Sequence, residues 1–253
     1  MRAGLWMLQG KWLPVTACVI AMVYAILAGS AAGAQSMTAA MPPMQWTHLW
    51  LDQMEARMVG PVSGFRWDGE AWHGGDTNRL WVKSEGLAEA GVVEEGDQEL
   101  LYDRPLPRVR YLDGQVGLRA DLDSGPARAW LAVGMEGLAP FHLQVAPTLY
   151  LRNGARVAGR VMAMEDLLLT QRLIAQPEVE LNLYSRDDRR RGVGSGLSEV
   201  DTGLRMRYEI RRNLAPYVGF AWNGRLGDAA SFARQAGQAA SDPSFIFGLF
   251  VWR

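Results

Sequence analysis

Over the last hundred residues, charged and apolar positions alternate strictly in long runs. Glu199, Asp201, Arg205, Arg207, Glu209 and Arg211 share one parity with Gly203, while Val200, Leu204, Met206, Tyr208 and Ile210 share the other. A strand has a period of two, so this segment carries one charged face and one apolar face. The pattern recurs upstream. Asp113, Gln115, Arg119 and Asp121 oppose Val116, Leu118, Ala120 and Leu122, and Glu178, Glu180 and Asn182 alternate with Val179, Leu181 and Leu183. Both signs of charge mix in these polar rows, which suits a polar lumen inside a wall that meets lipid.

The runs predict strands near residues 47–58, 64–73, 79–90, 97–104, 109–121, 128–137, 141–152, 155–167, 171–184, 196–212, 215–223 and 245–252. Turn chemistry separates them, as at Gly74-Gly75-Asp76, Asp123-Ser124-Gly125-Pro126 and Arg152-Asn153-Gly154. A strand and its connection average about 17 residues, enough for a tilted spanning strand of about 9–11 and a turn. The expected fold is therefore all-β, a closed antiparallel transmembrane β-barrel of about 12 strands over residues 47–253. About 10 strands is the alternative, if 64–73 or 97–104 belongs to a plug or a bent continuation. With the N-terminus in the periplasm, the two longest connections, 185–195 and 224–244, emerge on the outer side, where such barrels carry long loops. Trp46, Trp50, Trp81, Trp222 and Trp252 lie near predicted strand ends. That position suits an interfacial girdle, although strands are enriched in tryptophan in any case.

Ahead of the barrel, Arg2 and Lys11 precede an apolar run over 12–27 and small residues ending in Ala32-Gly33-Ala34. This is the pattern of a secretory signal peptide over residues 1–34. A membrane anchor needs about 20 apolar residues, more than this run offers. Residues 35–46 then read as a short periplasmic leader. The single cysteine, Cys18, leaves with the signal, which excludes disulfides, thiolate metal sites and thiol catalysis from the mature chain. Its charge comes from Lys83 and 23 arginines against 27 acids, a net of −3, so there is no basic footprint for nucleic acid. Arginine suits a crowded lumen because its planar fork pairs carboxylates bidentately and stays charged.

Particular stretches carry a more specific signal: Trp81-Val82-Lys83-Ser84-Glu85-Gly86, Gly137-Leu138-Ala139-Pro140, Asp166 through Gln176 (DLLLTQRLIAQ), Gly194-Ser195-Gly196-Leu197-Ser198, and Gly203 through Pro216 (GLRMRYEIRRNLAP). In their order and spacing they resemble the copper resistance protein B family of bacterial outer-membrane proteins, from about Gln53 to Trp252. The resemblance implies an outer-membrane barrel of copper tolerance, set in outer-membrane lipid. It also implies that copper ions bind at a Met- and His-rich N-terminal region and in the lumen, with a periplasmic multicopper oxidase as candidate partner. Copper is then a bound ion rather than a catalytic cofactor.

The chain departs from that pattern. In place of a long Met- and His-rich extension, Gln35 through Met44 (QSMTAAMPPM) stands before the first strand. Met37, Met41 and Met44, with His48, offer thioether and imidazole donors suited to Cu(I), or else form a plain leader. At Met162 and Met164 the resemblance implies acidic residues. Their parity with Arg160 and Asp166 turns both methionines to the lumen, as ligands or as fillers of irregular gaps. His142 shares parity with Gln144 and Thr148 and is expected to face the lumen too.

Gly192-Val193-Gly194-Ser195-Gly196 lacks the G-x-S-x-G order of a nucleophile elbow, and no local spacing ties a serine or carboxylate to His48, His73 or His142. The chain is expected not to be an enzyme. Inward acids such as Glu85, Asp121, Glu178, Glu180, Asp201 and Glu209 face Arg119, Arg160, Arg172, Arg205, Arg207 and Arg211, enough paired charge to fill a narrow bore. A cation path needs an excess of carboxylates on one stretch of wall. The competing function is a structural or general small-solute barrel without a metal role.

Overall fold

A computed structural model describes residues 44–253, apart from 60–61, 90–91, 108, 110 and 124–126. The signal peptide, Met37 and Met41 lie outside the described residues. The wall strands are β1 (Trp46–Val59), β2 (Val62–Gly74), β3 (Arg79–Glu89), β4 (Val92–Pro105), β5 (Leu112–Asp121), β6 (Arg128–Leu138), β7 (Gln144–Arg152), β8 (Arg156–Met164), β9 (Leu173–Tyr184), β10 (Gly196–Tyr208), β11 (Leu214–Arg225) and β12 (Ser241–Trp252). Each pairs antiparallel with its sequence neighbours, and β1 closes on β12 with Trp50 opposite Trp252. The result is the closed twelve-stranded barrel that alternation predicts. The ten-strand alternative fails because 64–73 and 97–104 lie in β2 and β4, each hydrogen-bonded on both sides.

Boundaries shift where local geometry opposes extension. β7 begins at Gln144 instead of 141, because Pro140–His142 forms a 3-10 turn with positive φ at Phe141 (69°) and His142 (64°). β8 stops at Met164 and β10 at Tyr208, short of the expected 167 and 212. The 224–244 connection contains a helix, α1 (Gly227–Gln235), that turns Ala229, Ala230 and Ala233 inward. The first and last described residues, Met44 and Arg253, lie at one end of the barrel, here the terminal end. The 185–195 loop and α1 lie at the far end, the two longest connections emerging together as expected.

The two faces have the composition that each medium requires. Glu55 is 0 % exposed and Arg205 3 %, whereas Leu118 is 59 % exposed and Phe220 67 %. In water such an apolar belt would be a liability; against hydrocarbon it is the solvated surface. The tryptophan girdle is corrected. Trp81 is buried in an inner cluster with Leu101, Trp130 and Tyr150, against which Trp50 and Trp72 pack. Trp252 follows Trp50 in register, and of the girdle set Trp222 carries the outward parity. Nearness to a strand end does not decide a face; parity does.

Candidate functional site

The terminal end of the lumen is lined by aromatic rings. His48 stacks on Trp72 and Trp50 with centroids 4.5 and 5.3 Å apart, and Trp50 lies 6.2 Å from Trp81. Lys83 Nζ sits 5.1 Å from the Trp81 ring centre, within cation–π range. These side chains meet because β1, β2 and β3 are in register: His48 faces Trp72, and Trp72 faces Trp81.

Just inside that ring cluster, a β-bulge between Leu51 and Gln53 makes Asp52 an extra residue. Asp52 lies within electrostatic reach of Glu178, Glu136 and Lys83 from other walls, which locates it in the lumen. Asp68 and Glu70 on β2 and Glu136 on β6 share this region. Among the described residues, the ion pairs these four carboxylates make come from Lys83 alone, to Glu70 at 3.5 Å and to Glu136.

Further along, ion pairs bridge the bore. Arg205 on β10 reaches Glu55 on β1 at 3.1 Å and Glu178 on β9 at 2.5 Å, while Tyr217 donates to Glu55 at 3.1 Å. Arg160 on β8 reaches Glu85 at 2.8 Å, Asp97 at 2.6 Å and Glu180 at 3.2 Å. Arg119 pairs with Asp97 and Asp121, and Arg66 with Glu85. A cavity of about 470 Å³ lies toward the far end, lined by Arg66, Glu85, Asp97, Arg119, Arg160 and Glu180 together with residues of the 185–195 loop and α1.

The predicted donors fall in different places. Met44 is 68 % exposed at the first described position, and His48 lies on the inner face of β1. Met162 and Met164 occupy the inner face of β8, opposite Glu180 and Glu178 on β9, with Gln176 Nε2 3.9 Å from Met164 Sδ. Both therefore face the lumen as parity implies. His142 does not: it is exposed in the turn before β7, where positive φ ends the parity argument. It remains at the terminal end, two residues before Gln144, the partner of Met164 across β7 and β8. His73 is there too, bonded to Thr47 at 2.8 Å and Gln45 at 3.2 Å. Among the described residues, no group of three or more His, Cys, Asp or Glu is arranged to hold a metal ion. The soft donors thus share an end without converging on one point.

The family model described as "Copper resistance protein B precursor (CopB)" matches residues 45–252, nearly all of this barrel. The chain belongs to the copper resistance protein B family. It is 40 % identical over 202 residues to copper resistance protein B of Escherichia coli, covering 80 % of this chain and 68 % of the relative. It is 38 % identical over 201 residues to a copper resistance protein B homolog of Pseudomonas syringae pv. tomato, covering 79 % and 68 %. Among solved structures, a NanC porin aligns with a TM-score of 0.53 at 10 % identity, covering 81 % of this chain and 99 % of that one. At that identity the likeness concerns the fold alone.

In this member of the copper resistance protein B family, Asp68 and Glu70 share the inward parity of Arg66, and Asp52 is the member of the acidic patch that escapes a reading based on parity. Two adjacent polar residues, Asp52 and Gln53, are the signal that could have found it, because a bulge puts neighbours on one face. The inward ring of Trp81 was legible by counting from Lys83, whose parity it shares.

Proposed function

We propose that this barrel lies in the bacterial outer membrane with its terminal end in the periplasm, and that it binds copper ions there as part of copper resistance. The supporting observation is a coincidence of two kinds of group at one end. Met44, His48, Met162 and Met164 supply soft donors, and Asp52, Asp68, Glu70 and Glu136 supply carboxylate in excess of the single Lys83. Carboxylates draw a cation toward the mouth, and thioethers then favour the soft Cu(I) ion. On this reading Met37 and Met41 extend the donor set ahead of the wall. Copper is cargo here, not a catalytic centre, and the protein works without being an enzyme.

The bridged bore supports holding copper over free passage, since Arg160 on β8 reaches Glu85 on β3, five strands away, and Arg205 on β10 reaches Glu55 on β1, three strands away around the closed wall. It also disfavours the general small-solute alternative. A periplasmic multicopper oxidase is the proposed partner at the terminal end. The deciding experiment is Cu(I) stoichiometry on the folded mature chain. Replacing Met37, Met41 and Met44 by Leu should lower it, and adding Met162→Leu and Met164→Leu should lower it further. Parent-level binding in the five-site variant overturns this methionine donor set, and a parent chain that binds no Cu(I) replaces the copper reading with the structural or general small-solute barrel.

A further inference from the structure

At the far end, the outer surface of the wall changes character along one quarter of the barrel. Leu118, Leu131 and Leu151 stand directly opposite one another on β5, β6 and β7, forming a single outward row. They are 59 %, 44 % and 42 % exposed. This row is one side of a cleft of about 1110 Å³ that runs up to Arg128, Arg152, Arg156, Arg189, Arg190 and Arg191 at the barrel's rim, where all but Arg152 also border the inner cavity. The acids of the cleft, Asp187 and Asp188, are already engaged. Asp187 accepts from the Ser195 backbone N–H at 2.6 Å, and Asp188 holds Arg128 at 2.5 Å and Arg156 at 3.3 Å. Those pairs fasten the 185–195 loop over the strand ends. Arg191 is committed to Asp123, and Arg152 lies 5.7 Å from the Trp130 ring centre. The Arg189 guanidinium lies 4.9 Å from the Phe232 ring centre on α1, and both Arg189 and Arg190 are exposed.

An apolar floor continuous with the lipid-facing belt, under a rim of cations, fits a molecule with the reverse layout. We infer that this cleft docks one phosphorylated lipid of the outer leaflet, of the lipid A class. An acyl chain lies along Leu118, Leu131 and Leu151, and the headgroup phosphates meet the arginine rim. Guanidinium suits this role because its planar fork binds phosphate oxygens in pairs and is weakly hydrated. The leaflet assignment rests on the orientation proposed above; binding in detergent does not depend on it, nor on copper.

Native mass spectrometry of the folded mature chain tests this with diphosphorylated lipid A, fully dephosphorylated lipid A and inorganic phosphate as separate probes. The expected result is a retained adduct with diphosphorylated lipid A, at least tenfold weaker without its phosphates and absent with inorganic phosphate alone. Arg189→Gln with Arg190→Gln, two exposed loop changes, should cut retention about tenfold at unchanged heat-modifiable mobility. A Leu131→Ser variant should weaken the adduct independently by removing the floor. Equal retention of both lipids, or parent-level retention in the double arginine variant, overturns the inference. An inorganic phosphate adduct as strong as the lipid's does so as well.

Discussion

Arg160 on β8 holds Glu85 on β3 from the opposite side of the bore, Nη1 to Oε2 at 2.8 Å. The same guanidinium serves Asp97 and Glu180, so one cation satisfies carboxylates on three other strands and obstructs the lumen between them. Arg160→Leu leaves Glu180 without its cation and leaves Glu85 and Asp97 with one partner each, Arg66 and Arg119. Removing one partner of a buried pair costs about 3–5 kcal/mol. A lower unfolding temperature by gel mobility is expected, together with larger single-channel conductance in a planar bilayer. Unchanged conductance means that Arg160 is not what closes the bore.

Tyr150 donates its hydroxyl to Glu99 across the lumen at 2.6 Å, and both groups are buried. Tyr150→Phe leaves that carboxylate short of a donor, at a cost of about 1–3 kcal/mol. A double-mutant cycle with Glu99→Gln should recover a coupling of comparable size in urea unfolding; additivity would show that the bond is inert.

The outer face should be intolerant of charge in proportion to depth. Phe220 lies midway along β11, 67 % exposed and in edge contact with Phe245 at 5.3 Å. Phe220→Arg should cost about 2–4 kcal/mol, the midplane figure for a lipid-facing arginine. Phe141→Arg, in the exposed turn before β7, should refold into lipid vesicles like the parent. Equal refolding yields for the two variants would argue against a lipid-facing belt at Phe220.

Close approach of strands makes one glycine indispensable. A Cβ on Gly117 would lie 2.0 Å from the Leu100 carbonyl oxygen, whereas one on Gly159 would meet a Leu149 methyl at 3.6 Å and the Thr148 carbonyl oxygen at 3.9 Å, both ordinary contacts. Gly117→Ala should therefore cost about 1–3 kcal/mol through forced backbone shifts, and Gly159→Ala should be neutral or slightly stabilising. Urea midpoints of the two refolded variants decide the matter, and a tolerant Gly117 would mean the wall relaxes freely there.

Orientation is open to chemistry because the mature chain is expected to carry no cysteine of its own. A cysteine at Asn153, in the far-end turn between β7 and β8, should react with an impermeant maleimide on whole cells. One at Thr77, in the terminal-end turn between β2 and β3, should react only after lysis. The reverse pattern would invert the barrel.

Alternation by itself determined the fold class and the facing of most wall residues, including Met162 and Met164, while the pairing of β2 and β4 on both sides decided twelve strands over ten. Parity is a local property, written into each strand by its own backbone, so no partner is needed to read it. The short stretches from Trp81 to Pro216 were likewise enough to point to the family. What closure decided is which residues meet. Arg160 and Glu85 are 75 positions apart, and their contact depends on the register of every strand between them. The bulge at Asp52, the positive φ at His142 and the packing of α1 over the far end each break the local rule. They arise where the chain must bend to close the sheet or leave it, and there the energy of the assembled barrel, not the period of the strand, sets the direction of a side chain.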